Sequence, residues 1–191
     1  MALKLLSGPL LEPVSLAEAK AHLRVDASDE DAFISSLVTT ARLQIEAVLD
    51  LALITQQWQW IADCWPLNNV VELPMRPLQS IDAVRVRGAD DVATVLDPIS
   101  YSVDGASVPP RVASRSGFWP TPGARLNGIE IDFTAGFGAA AADVPADIRQ
   151  ALLLLAAYWF EHRDPTSAGA TNAGVPDAVS TLLEPYKAVR L

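Results

Sequence analysis

Cysteine and histidine are scarce in this sequence, which contains only Cys64, His22 and His162 of these two types. A single thiol excludes an intrachain disulfide and a zinc site built from clustered thiolates. We therefore expect synthesis in a reducing bacterial cytoplasm and no metal or cofactor. Cys64 is predicted to be a small buried hydrophobe, because unreactive cysteines are commonly buried.

Basic charge is also in short supply. Lys and Arg total 14 against 23 Asp and Glu, for a net charge of -9. The chain therefore lacks the basic footprint with which proteins neutralise DNA phosphates, and sequence-specific DNA binding is not expected. A negatively charged surface repels the DNA backbone, so it suits a wall that DNA passes without binding to it.

Long hydrophobic runs are missing as well. The longest uninterrupted apolar run, residues 151–160, is about half of the roughly 20 residues that span a bilayer. Residues 1–13 lack the central apolar region of a signal peptide, so we expect no membrane association and no export signal. Nevertheless half of the 191 residues are hydrophobic, which indicates that some apolar surface faces partners.

Helix signals lie in the two outer parts of the chain. Ser15-Leu16-Ala17-Glu18 has the pattern of a capping box and predicts a helix over residues 16–23. Ser28 and the acidic residues after it predict a second helix that ends near Asp50, with apolar residues at steps of three and four. A third helix is predicted over 146–162, apolar around its centre, and a short fourth over 176–183.

The middle of the chain has the sequence features of β-structure. From residue 54 to 137, prolines, glycines and short alternating segments replace the helical period. The predicted strands cover 57–62, 70–73, 81–87, 100–103 and 129–133, and Asn127-Gly128 and Asp104-Gly105 suit tight turns. The predicted class is α+β: a helical domain of residues 1–53 and 144–191 with a β-rich insertion of residues 54–143.

Residues that could serve catalysis occur without a recognisable motif. His22 and His162 are the only imidazole bases, and each lies in or beside a predicted helix, where a surface or capping role is expected. The acidic runs at 29–31 and 90–91 fit helix starts and turns. Trp58, Trp60 and Trp65 suggest a stacking platform, but packing in the core is favoured. We expect no enzymatic activity and no catalytic residue.

Two segments of the chain resemble the phage head-tail connector (adaptor) proteins, in particular their longer members. The first is PVSLAEAKAHLRV at residues 13–25, followed by an acidic link and a long helix that leads to LITQQW at 53–58. The second is VPADIRQA at 144–151 with AYWFEHR at 157–163, then Val175-Pro176 and LLEPY at 182–186. The order of these motifs carries the resemblance, which covers about half of the chain.

This resemblance implies a structural subunit of the head-tail neck of a tailed phage, a prophage or a gene transfer agent. Such subunits form a ring, usually of twelve copies, beneath the portal protein, and extend the DNA channel toward a tail-completion or stopper protein. The alternatives are a tail-assembly or DNA-packaging accessory protein, which needs a basic face, and a small hydrolase, which needs a pocket that contains one of the histidines.

The resemblance also assigns expected roles to two sets of residues. The C-terminal set is expected to contact the portal: Leu182, Leu183, Pro185, Tyr186, Lys187, Arg190 and Leu191. The second set is expected to pack against the same and adjacent subunits: Phe33, Leu37, Leu152, Leu155, Trp159 and Phe160.

Overall fold

The computed structural model describes residues 1–162 and 176–187 and has four helices and two antiparallel sheets among them. The helices are α1 (Leu16–Leu23), α2 (Asp31–Leu49), α3 (Ala146–Glu161) and α4 (Asp177–Leu183). The strands are β1 (Ala2–Ser7), β2 (Gln56–Ala62), β3 (Val70–Glu72), β4 (Leu78–Arg87), β5 (Ala93–Val95), β6 (Tyr101–Asp104), β7 (Arg111–Ser114) and β8 (Ile129–Ala135). The predicted α+β class is confirmed.

The chain divides into two compact units. A β-rich unit consists of Met1–Leu10 and Asp50–Phe137, and a helical unit consists of Leu11–Leu49 and Gly138–Leu191. The sequence analysis places residues 1–10 in the helical domain. They join the β-rich unit because β1 pairs with β2, with Leu3 opposite Trp60 and Leu5 opposite Trp58.

The predicted helices agree closely with the observed ones, and the capping box predicted for α1 forms the expected hydrogen bonds. Ser15 Oγ accepts from the backbone N–H of Glu18 at 3.2 Å, and the Glu18 carboxylate accepts from the N–H of Ser15 at 2.8 Å. At α3, by contrast, no side chain caps the first turn. The Asp143 carboxylate accepts from the N–H of Ala140 at 2.9 Å, and Pro145 stands at the N-cap position.

The helical unit buries one face of each of its longer helices. Contacts join α2 to α3, α3 to α4, and α1 to both α2 and α3. This interior is lined by Ile34, Val38, Ala41, Ile45, Leu49, Ile148, Leu152, Leu155, Val179 and Leu183. Helix α2 is also long and apolar enough to cross a membrane by length and composition. Its buried side includes the charged Arg42 and Glu46, and the core helix of a globular unit meets the same two criteria.

The β-rich unit places two sheets around one hydrophobic cluster. The larger sheet has the strand order β1-β2-β8-β4-β5 and the smaller one β3-β7-β6, with antiparallel pairing throughout. Strand β8 is hydrogen-bonded on both sides, which explains why Ile129, Ile131 and Phe133 are completely buried. The same cluster takes Val71 and Val112 from the smaller sheet.

Three strands and one side-chain environment differ from the sequence-based expectations. Strands β1, β5 and β7 were not predicted. All residues of β1 and β5 are exposed, so neither strand alternates between buried and exposed positions. Cys64 is exposed and not buried. It follows the end of β2 at Ala62, in the loop that leaves the sheet, where the local apolar neighbours in sequence do not enclose it.

Candidate assembly surfaces

The C-terminal part of the described chain is hydrogen-bonded to the beginning of α3. Val179 and Leu183 of α4 are buried, and the chain continues as a single 3-10 turn over Glu184–Tyr186. The Tyr186 hydroxyl donates to Asp147, at 2.7 Å from Oδ1 and 2.9 Å from Oδ2. Burial, together with this hydrogen bond, raises the pKa of Tyr186 to about 12. The tyrosine therefore stays neutral and bonded at physiological pH.

The residues expected to contact a portal have different environments in this segment. Leu183 is buried in the helical unit, Leu182 and Tyr186 are half-buried, and Pro185 and Lys187 are exposed. The ammonium group of Lys187 lies 2.5 Å from a carboxylate oxygen of Glu184. Arg190 and Leu191 lie outside the described residues.

The residues expected to pack between subunits fall into two groups. Leu152 and Leu155 are fully buried inside the helical unit. The remaining four are half-buried, and they lie at the start of α2 and the end of α3: Phe33, Leu37, Trp159 and Phe160. The rings of Phe33 and Phe160 contact each other, with centroids 6.1 Å apart. The structure thus brings the two helix ends together as one partly exposed apolar surface.

Two arginines fix the helices that carry this surface. Arg149 of α3 donates from Nε to the carbonyl of Pro13 at 3.0 Å and forms an ion pair with Glu18 of α1. The pKa of Glu18 is lowered, first by the hydrogen bond from the backbone of Ser15 and further by the Arg149 charge. Helix α1 is therefore attached to α3 by its capping box, a connection that the sequence pattern alone did not indicate.

Arg42 is the second arginine and is buried within the helical unit. Its Nε lies 2.7 Å from Glu12 Oε2 and its Nη1 lies 2.7 Å from Glu46 Oε2. Burial alone would lower the pKa of Arg42, but its hydrogen bonds and ion pairs with the two carboxylates outweigh burial and raise it. The guanidinium is thus permanently charged and ties the segment before α1 to α2.

Shallow grooves are present on both units within the described residues. The groove of the helical unit has a volume of about 410 Å³ and lies between the segment around Leu11 and Val14 and helix α2 at Val38. The groove of the β-rich unit has a volume of about 420 Å³ and a mixed lining, with apolar residues that include Leu96, Phe118 and Trp119, and with Asp97 and three serines. Neither is lined by a histidine.

The candidate catalytic residues do not come together in these grooves. His22 is exposed on α1, and His162 is exposed at the end of α3, where its Nδ1 donates to the carbonyl of Tyr158 at 2.8 Å. Within residues 1–162 and 176–187, no cluster of three or more His, Cys, Asp or Glu could hold a metal ion.

Packing on the β-rich core, the role expected for Trp58, Trp60 and Trp65, is observed for all three. Trp60 is buried, and Trp58 and Trp65 lie against the same cluster. The indole of Trp65 also stacks on that of Trp119, with centroids 4.2 Å apart.

Comparison with known proteins gives consistent matches to particle-neck structures. The head completion protein family matches residues 12–189. None of the curated proteins matches. Among solved structures, a chain in the virion of a native gene transfer agent particle is 29% identical, with a TM-score of 0.85. A chain in the neck of the empty particle computed with C6 symmetry is 32% identical with a TM-score of 0.83, and one in the native neck computed with C12 symmetry is 29% identical with 0.81.

These structural matches span the full length of the molecule. In all three cases they cover 100% of this chain and 97% of the other. The family model also covers far more than half of the sequence, and its match includes the four helices and strands β2 to β8, while β1 precedes it. The chain therefore belongs to the head completion protein family.

Proposed function

We propose that this chain is a structural subunit of the neck of a phage-like particle, where a ring of copies joins the head to the tail. The observation that carries this proposal is the full-length match to chains in gene transfer agent necks reconstructed with sixfold and twelvefold symmetry. The chain is accordingly a virion protein. A closed ring of this kind requires each copy to present two different, complementary surfaces to its neighbours.

Contact between subunits is proposed to involve the apolar surface at the ends of α2 and α3. Phe33, Leu37, Trp159 and Phe160 are half-buried and give such a surface. Leu152 and Leu155 contribute indirectly, because their burial inside the helical unit fixes the position of α3. Burial of aromatic side chains between copies would contribute strongly to ring stability.

Contact with the portal is proposed to involve the C-terminal segment, with a tail-completion or stopper protein on the opposite side of the ring. Pro185 and Lys187 are exposed there, and Leu182 is half-buried. Arg190 and Leu191 add to the proposed contact from outside the described residues. The net charge of -9 supports a channel through which DNA passes without sequence-specific binding.

The proposed role is non-enzymatic, and the helical unit is proposed to be the connector domain, with Asp50–Phe137 of the β-rich unit inserted between α2 and α3 in the sequence. The family and the neck structures are particle components, which supports a function that depends on assembly. The two exposed histidines lie apart from both grooves, so the residues that a hydrolase would need do not converge there.

Deletion of the gene tests the assembly function directly. We expect DNA-filled heads without tails under electron microscopy, and tailed particles when the wild-type gene is supplied in trans. Tailed particles of normal yield from the deletion strain would contradict the proposed function.

Truncation of residues 184–191 tests the portal contact separately. Val179 and Leu183 remain, so circular dichroism should show a folded protein, while heads should lack tails. Tyr186→Phe is the matched control: it removes only the hydrogen bond to Asp147 and should leave tailed particles. Normal tailed particles from the truncated protein would show that this segment does not make the contact.

A further inference from the structure

One outer edge of the five-stranded sheet is an exposed, apolar strand. Strand β1 pairs with β2 on one side only, and no strand of the described residues pairs with its other side. All six of its residues are exposed, including Leu3 at 37% and both Leu5 and Leu6 at 45%. Natural proteins usually protect edge strands with charges, proline or a covering segment. Strand β1 has a single charge, Lys4, so this edge suits pairing with another chain.

The opposite edge of the same sheet has matching features. Strand β5 pairs only with β4 among the described strands, and its three residues are exposed. Val92 is 60% exposed and Val95 is 59% exposed. The groove of the β-rich unit opens beside this edge, and its apolar part includes Leu96 and Phe118, which is 78% exposed.

Leu3 and Leu5 of β1 lie on the same face of the sheet as Leu96, which follows β5, whereas Val95 is opposite Arg85 and lies on the other face. Leu3 is opposite Trp60, Trp60 opposite Ile131, and Ile131 opposite Val84, and the row continues with the N–H of Leu96 bonded to the carbonyl of Val84. All the interior members of this row belong to the hydrophobic cluster or pack against it. A neighbouring β1 placed beside β5 would therefore point leucines toward the groove.

Charge at the two edges is also complementary. Lys4 makes the β1 edge positive, whereas the turn that precedes β5 contains the exposed Asp90 and also Asp91, which is exposed and pairs with Arg87 at 3.4 Å. Asp97 adds a third exposed carboxylate just after β5. Opposite charges at the two edges favour pairing of unlike edges and disfavour pairing of two β1 strands with each other.

We propose that neighbouring copies of this chain join by strand addition, with β1 of one copy pairing with β5 of the next and its leucines entering the groove beside Phe118. This inference rests on the proposed ring, because only a head-to-tail arrangement uses two different edges on every copy. Main-chain hydrogen bonds would supply affinity, and the leucines would supply specificity. The interface would also cover the exposed leucines of β1.

Cross-linking in assembled particles tests this pairing. In a Cys64→Ser background, which removes the exposed native thiol, Leu5→Cys is combined with Thr94→Cys and treated with a short bismaleimide. We expect a ladder of covalent multimers beyond the dimer, because each copy would link to two neighbours. Each single-cysteine variant should stay monomeric. The matched control combines Leu5→Cys with Val103→Cys, an exposed strand residue of the smaller sheet, and should give no ladder.

Three results would overturn the inference: no ladder from the Leu5→Cys/Thr94→Cys variant in particles that contain the chain, dimers from Leu5→Cys alone, or a ladder from the control pair.

A second comparison does not depend on cross-linking. Leu5→Asp should lower the yield of tailed particles while leaving the circular dichroism spectrum unchanged, whereas Val103→Asp should not lower it; equal yields would contradict the pairing. Absence of the wild-type chain from particles would instead refute the proposed function.

Discussion

Replacement of Arg42 by Met is the sharpest test of how the helical unit is held together. The guanidinium side chain is 8% exposed and bonds two carboxylates, of which Glu46 is also 8% exposed and Glu12 is 29% exposed. Removal of one partner from a buried ion pair costs about 3–5 kcal/mol, because a buried charge loses its compensation. Glu12 can be rehydrated more easily than Glu46, so we expect a loss of about 3 kcal/mol.

The measurement is urea unfolding followed by circular dichroism at 222 nm, because α1 to α4 all lie in the helical unit. The Arg42→Met/Glu46→Leu variant should recover most of the loss, since replacing both members of a buried pair by apolar residues is often neutral. Arg111→Met is the matched control: its ion pair with Asp104 is 2.6 Å long but exposed, so its loss should cost less than about 1 kcal/mol. A cost for Arg42→Met no larger than that of the control would refute this reasoning.

Three further substitutions probe the core, the capping box and the C-terminal contact. Leu152→Ala should cost about 2–5 kcal/mol in urea unfolding because it leaves a cavity, whereas Leu43→Ala, at a site 53% exposed, should change stability little. Glu18→Gln should cost roughly 0.5 kcal/mol at pH 7; because the folded-state pKa of Glu18 is lowered, this difference should disappear as the pH falls below its ordinary value of 4.5. In a spectrophotometric titration, the pKa of Tyr186 should be about 12, and it should return toward 10 in the Asp147→Asn variant. The contribution of this hydrogen bond to stability should be present below pH 10 and lost as the pH rises through 12. Ionisation near 10 in both proteins would contradict the described hydrogen bond.

The helices were predictable because their signals are local in sequence. The capping box at Ser15 and Glu18, and the apolar spacing along α2, depend only on neighbours within one or two turns. Both predicted features are present, and the bounds of α1 agree with the prediction at both ends.

Strands without an alternating pattern could not be predicted in the same way. Strand β1 is exposed on both faces and β5 has only three residues, so neither shows the period of two that identifies a half-buried strand. Strand β1 exists because β2, which is distant in sequence, offers a free sheet edge, and β5 exists because a short turn returns the chain to the edge of β4. The exposure of Cys64 has a similar cause: it depends on where the loop after β2 runs, and not on its immediate neighbours.

The assembly surfaces were predictable only in part. The sequence identified the apolar side chains of α2 and α3, but it did not distinguish Leu152, which is buried inside the unit, from Phe160, which is half-buried at its surface. That difference depends on how α4 and α2 cover α3. The contact between Tyr186 and Asp147 joins residues 39 positions apart, and no local pattern indicates it.

A cryo-EM reconstruction of the neck of particles that contain this chain tests the central claim most directly. The account predicts a ring of copies with rotational symmetry at the junction of head and tail, into which the helical unit and the β-rich unit can each be fitted. A neck reconstruction at side-chain resolution whose density accommodates neither unit would contradict it.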